Sequence, residues 1–150
     1  MLIQLVILSC CLYCTWTDLR DRRIPNRAIL LGFFAISLLH LLAGGSWYLL
    51  TFLAVALLVL LALGLASLLW PAAIGMGDVK LLALLCFALG LRPFAAVIML
   101  ASLCALLGAI WLLVQKRARP GVALPFAPFL TAGLLLFWLL AGLDGSFPQS

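Results

Sequence analysis

The chain has 150 residues, 68% hydrophobic and only 9% charged, with a mean hydropathy of +1.36 and a net charge of +5. Ordinary soluble domains are about half apolar and about a quarter charged, so this composition excludes a water-soluble globular fold. The apolar runs are long and unbroken, as in Leu49–Leu63, which excludes the ~10-residue alternating segments of a membrane β-barrel and leaves an all-α polytopic membrane protein.

A membrane-spanning helix needs about 20 apolar residues, and about six candidates follow one another. The first runs from Leu2 to Thr17 and the second from Ala28 to Ala43. Gly44-Gly45-Ser46 predicts a tight turn into a third helix, Trp47 to Trp70, stopped by Pro71. The fourth is expected over Asp78 to Leu91, and Arg92-Pro93 opens a fifth that ends near Gln115. A basic loop with three prolines leads to the sixth, Pro128 to Leu143. The whole chain, residues 1–150, reads as a single membrane-embedded domain.

Charge orients these helices. The first segment, Met1 to Val6, has no Lys or Arg, unlike a secretory signal, and reads as a retained helix with its N-terminus outside, on the periplasmic side. Three loops then face the cytoplasm and carry Arg20, Arg22, Arg23 and Arg27, then Lys80, then Lys116, Arg117 and Arg119. Only Arg92 falls outside, as the positive-inside rule expects. Basic residues confined to short loops also argue against a nucleic-acid partner; their partner is the lipid bilayer. Trp16, Trp47, Trp70, Trp111 and Trp138 fall near expected helix ends, where interfacial belts form.

Two helices are short. Sixteen residues span only about 24 Å, so the first could extend through Asp18 towards Arg22. The fourth covers about 21 Å, and its crossing is complete only if Pro71 to Gly77 also enters the membrane. Irregular backbone at that depth must be buried in protein or face water. Gly75-Met76-Gly77 is therefore expected to line a wet cavity open to the cytoplasm, with Asp78 at its edge.

Cys10, Cys11, Cys14, Cys86 and Cys104 lie in apolar runs, and the lone CxxC of Cys11 and Cys14 has no second pair to complete a zinc tetrad. They read as small buried hydrophobes, and no metal or cofactor is expected. His40, alone near the outer end of the second helix, reads as a packed or interfacial histidine rather than a metal ligand.

The acids are Asp18, Asp21, Asp78 and Asp144, with no glutamate. Asp144 belongs to the outer tail. Two helices separate Asp18 from Asp78, so the chain goes out and returns to the same face. Asp78 could simply cap its helix, and Asp18 could be a surface ion pair among arginines. Ionisable groups at membrane depth are costly, however, and mark function. Two close carboxylates cannot both ionise easily, so one keeps a proton. The ionised one can take a proton from water while the protonated one polarises a carbonyl, which is general acid–base hydrolysis of a peptide bond. Gly75 and Gly77 allow tight turns and close approach of an extended substrate backbone.

At these residues the chain resembles a known family. "GMGDVK", Gly75 to Lys80, resembles the GxGD motif of intramembrane-type aspartyl proteases. "TDLRDRRIPN", Thr17 to Asn26, resembles the first-aspartate motif of type IV prepilin peptidases, and "LPFAPFL", Leu124 to Leu130, is similar to the PFGPF-like segment near their last helix, with Ala127 where glycine is common. The resemblance implies a membrane aspartyl endopeptidase that cleaves the basic leader of prepilin-like or pseudopilin precursors at the cytoplasmic face of the bacterial inner membrane. Matched by motif, Asp18 and Asp78 would be the catalytic pair, Asp21 the weaker candidate, and Gly75, Gly77 and Lys80 the rest of the second motif. Lys80 would either contact substrate or anchor the interface. Long family members carry an inserted cytoplasmic domain with paired CxxC motifs and also methylate the new N-terminus. That insertion is absent between the two motifs, as in the peptidase-only form of Flp/Tad-type pilus systems, so methylation and zinc are not expected. Two other classes stand beside this reading: a non-catalytic membrane scaffold of a pilus or secretion machine, and a small proton-coupled carrier. The specific substrate and the oligomeric state are not legible.

Overall fold

The computed structural model describes residues 2–70, 75–115 and 125–143. Five helices follow in order: α1 Leu2–Asp21, α2 Asn26–Leu69, α3 Met76–Leu89, α4 Leu91–Val114 and α5 Ala127–Leu143. Three of them, α1, α2 and α4, are long and apolar enough to cross a membrane. The Pro71 stop, Lys116, Arg117 and Arg119 of the third basic loop, and Asp144 lie outside the described residues.

The count is five rather than six because the second and third expected helices run as one 44-residue element. A straight helix of that length would extend about 66 Å, twice the hydrocarbon core. It is not straight. Gly45 has φ 72° and ψ −170° in its middle, a left-handed region that glycine enters without a Cβ penalty. His40 and Phe52 are twelve residues apart, about 18 Å along a straight axis, yet their ring centroids are 4.6 Å apart. The chain therefore folds back at the turn expected for Gly44-Gly45-Ser46.

Other boundaries move by a few residues. Helix α1 does not stop at Thr17 but carries Asp18 inside its last turn, and its 20 residues match a full crossing. It ends where Arg22 takes φ 51° and its amide donates to the Asp18 carbonyl oxygen at 3.1 Å. Helix α3 starts at Met76, ahead of Asp78, behind an extended Gly75. It stops at Leu89 because Gly90 takes φ 80°. Helix α4 accordingly begins at Leu91, with Pro93 in its first turn, where a missing N–H costs no helical bond.

Helix α3 is the centre of the protein. Val79 and every residue from Leu81 to Ala88 are buried, as expected of a helix that is apolar all round. It packs against α1, α2 and α4, while α5 lies against α1 and α4. A Cβ on Gly133 of α5 would fall 2.7 Å from the Ala101 nitrogen and 2.8 Å from the Val97 oxygen of α4, so these two backbones touch, as small residues allow in membrane helix pairs. Outward faces are apolar too: Met99, Leu103, Leu106 and Leu107 of α4 are exposed. Trp16, Trp47, Trp70 and Trp111 are exposed, whereas Trp138 is half-buried with its indole nitrogen enclosed.

Candidate active site

The last turn of α1 and the first turns of α2, α3 and α5 meet at one end of the bundle. Each arrives with a polar group: Asp18 on α1, Asn26 on α2, Asp78 and Lys80 on α3, and the free backbone amide of Ala127 on α5. Helix N-termini carry the positive end of the peptide dipole; Asp18 lies against that of α5 and Asp78 within that of α3.

Asp18 is buried, with 8% of its surface exposed. It continues a buried stripe of α1 made by Ile3, Ile7, Cys11 and Cys14, the spacing that puts side chains on one helix face. Its Oδ2 accepts a hydrogen bond from the Ala127 amide at 3.1 Å. Ala127 is fully buried and opens α5, so this donor is one of the amides a helix start leaves without an internal partner. One turn deeper, Thr131 donates to the Ala127 carbonyl at 2.9 Å and shares a 2.7 Å hydrogen bond with Thr15 of α1. Asp18 is thus held between α1 and α5. Arg20, Arg22 and Arg23 are exposed, so the surface ion-pair expectation does not describe its surroundings.

Asp78 is half-buried in the first turn of α3. The N-cap, Gly75, has no side chain to cap with, and Asp78 supplies the acid of the first turn. Helix α1 packs against α3, and Gly77 of α3 is pressed on Ile24 just past the end of α1, so Asp18 and Asp78, 60 residues apart in sequence, come to the same end of the bundle.

The glycines have more local tasks than the motif suggested. A Cβ on Gly75 would stand 3.2 Å from Asp78 Oδ2, so its absence leaves room for that carboxylate. A Cβ on Gly77 would stand 3.2 Å from Ile24 Cβ, so the first turn of α3 is pressed on the segment between α1 and α2. Lys80 is half-buried, and its Nζ donates to Asn26 Oδ1 at 3.0 Å. This ties the last residue of one motif to the last residue of the other.

Asp21 stands apart. It is exposed and lines an open cleft of about 730 Å³ with Tyr13, Thr17, Arg23, Ile24 and Pro25. It is three residues beyond Asp18, a spacing that keeps it on the same side of α1, but it is the last residue of that helix and stands exposed at its end. Among the described residues no group of three or more His, Cys, Asp or Glu side chains is placed to hold a metal. Cys11 and Cys14 are free and fully buried.

Sequence reasoning missed the Ala127 amide. A backbone donor has no residue signature, and only the alanine in the LPFAPFL segment, followed by Pro128, pointed to this position.

The model of the type IV leader peptidase family matches residues 5–113, more than two thirds of the chain. The match includes Asp18, Asp78 and both of their motifs; LPFAPFL lies beyond it. No curated protein and no solved structure matches the chain.

Proposed function

The chain belongs to the type IV leader peptidase family, and from that premise we propose that it is an aspartic endopeptidase cleaving the leader from prepilin-like precursors with Asp18 and Asp78 as its catalytic pair. The observation that carries the reading is the placement of buried Asp18 in the last turn of α1 and half-buried Asp78 in the first turn of α3, two helices that pack on each other.

The proposed chemistry follows from the pair. The reaction calls for one carboxyl of the pair ionised and the other protonated. The ionised member takes a proton from a water molecule as that oxygen attacks the scissile carbonyl carbon. The protonated member donates to the carbonyl oxygen, giving a neutral tetrahedral diol. Collapse of the diol breaks the C–N bond. One carboxyl gives a proton to the departing amine and the other recovers one from the diol, so the pair returns to its starting state. The Ala127 amide steadies Asp18 for this work by fixing one of its two oxygens.

The proposed topology gives α1, each half of α2, α3, α4 and α5 one crossing, six in all. Eight of the nine basic residues and the site then face the cytoplasm, and the N-terminus is periplasmic. The fold-back at Gly45 supports this count, since each half of α2 matches one bilayer. The location would be the bacterial inner membrane. The test is co-expression with a prepilin substrate and separation of precursor from processed pilin by size. Processing with the wild type and none with Asp78→Asn at equal membrane level supports the enzyme. Full processing with Asp78→Asn leaves the non-catalytic scaffold.

A further inference from the structure

We propose that His40, far from the acids, is a positioning residue for them: its hydrogen bond to Phe87 sets the height and rotation of α3 and thereby where Asp78 meets Asp18. The inference rests on the Asp18/Asp78 reading above.

His40 is completely buried. Its Nε2 lies 3.0 Å from the Phe87 carbonyl oxygen. A carbonyl only accepts, so Nε2 carries the proton and donates. Nδ1 of the neutral ring is then an acceptor, and it is buried with no partner among the described residues. The ring is enclosed by Phe52, Phe87 and Tyr48, at centroid distances of 4.6, 5.2 and 5.5 Å. Packing alone would be served better by a phenylalanine, which fills such an aromatic site and strands no nitrogen. What histidine adds is the bond to Phe87.

That bond acts on a helix with few other directional restraints. Glycines flank α3, with Gly75 before it and Gly90 at φ 80° after it. Its sides are aliphatic all round, Leu81 to Leu85, and apolar contact is non-directional. Two polar bonds join it to α2: Lys80 to Asn26 near the acids and His40 to Phe87 in its last turn. The Phe87 carbonyl is one of the acceptors that a helix end leaves without an internal donor. Phe87 and Asp78 are joined by nine residues of helix, about 13.5 Å of rigid rod. A restraint at one end therefore fixes the other.

The experiment uses the full chain in detergent and compares wild type, His40→Phe, His40→Gln and Asp78→Asn. It reads kcat and KM on a prepilin substrate together with the melting temperature. Phenylalanine keeps the ring and removes the bond; glutamine places an amide donor near the Nε2 position. The expected result for His40→Phe is a melting temperature at or above wild type, KM within twofold and kcat reduced at least fivefold, with His40→Gln recovering at least half of kcat. Wild-type kcat in His40→Phe overturns the inference. So does a His40→Gln protein that melts like wild type and is as slow as His40→Phe. A second readout needs no activity. With the five native cysteines replaced by alanine, an Asp18→Cys/Asp78→Cys pair is oxidised mildly, with histidine or phenylalanine at position 40. A disulfide yield that falls with phenylalanine supports the inference, and an unchanged yield overturns it. If the wild type cleaves no prepilin while the yield still falls, the peptidase reading fails and the positioning role stands.

Discussion

The Ala127 amide donates to Asp18 Oδ2 at 3.1 Å, joining the start of α5 to the last turn of α1 across 109 residues of chain. A hydrogen bond to a charged group contributes roughly 1.5–3 kcal/mol. Ala127→Pro removes the donor, and Ala127→Gly keeps it. Cleavage by the proline variant is expected to fall about tenfold or more, in line with a loss of ~1.4 kcal/mol or above, while the glycine variant stays within about threefold. Initial rates on a prepilin substrate at matched enzyme concentration check this.

Lys80 and Asn26 are expected to act as one unit, because the Lys80 ammonium spends a hydrogen bond on the Asn26 side chain. Lys80→Met and Asn26→Ala are each predicted to lower activity modestly. The double variant is predicted to cost less than the two single losses combined, with an interaction of about 0.5–1.5 kcal/mol. A double-mutant cycle on kcat/KM measures it. Strict additivity would instead mark Lys80 as an interface anchor or a direct substrate contact.

Gly133 and Gly64 make a matched pair of tests for helix packing. A Cβ on Gly133 would meet the Ala101 nitrogen at 2.7 Å, and backbone cannot step aside as a side chain can; nothing lies within 4 Å of a Cβ on Gly64. Gly133→Val is expected to destabilise by roughly 1–3 kcal/mol through overpacking between α4 and α5. Gly64→Ala is expected to be neutral or to gain up to about 1 kcal/mol from lower backbone entropy in the unfolded chain. Thermal or denaturant unfolding in detergent reads both.

Chelation is expected to leave cleavage unchanged, because the proposed chemistry runs on two carboxyls and a water. Cys11 and Cys14 are fully buried, so a maleimide is expected to spare both in the folded protein and to label them after denaturation. Loss of activity with a chelator, restored by metal, would contradict the carboxyl mechanism.

Much of the site was legible because polar residues are scarce. With four acids in 150 residues, each one asks for an explanation, and an out-and-back path puts Asp18 and Asp78 at one end. The Gly45 turn was legible as well, since two glycines and a serine interrupt an otherwise apolar run. Helix faces were not. In a soluble protein the core side of a helix is apolar and the water side polar; here lipid and core make the same demand. Leu84 is fully buried and Leu106 is 57% exposed, yet nothing in the sequence separates them. Asp18 and Asp21 posed the same difficulty. They lie three residues apart among arginines, on the same side of α1, and Asp18 is buried while Asp21, the last residue of the helix, is exposed.

The most direct test of the account compares cleavage of one prepilin by wild type, Asp18→Asn, Asp21→Asn and Asp78→Asn at matched membrane levels. The account predicts that Asp18→Asn and Asp78→Asn each lose cleavage by at least about a thousandfold, as loss of an essential acid–base group does, while Asp21→Asn keeps it. Cleavage retained by either Asp18→Asn or Asp78→Asn would contradict the pair and return these acids to structural roles.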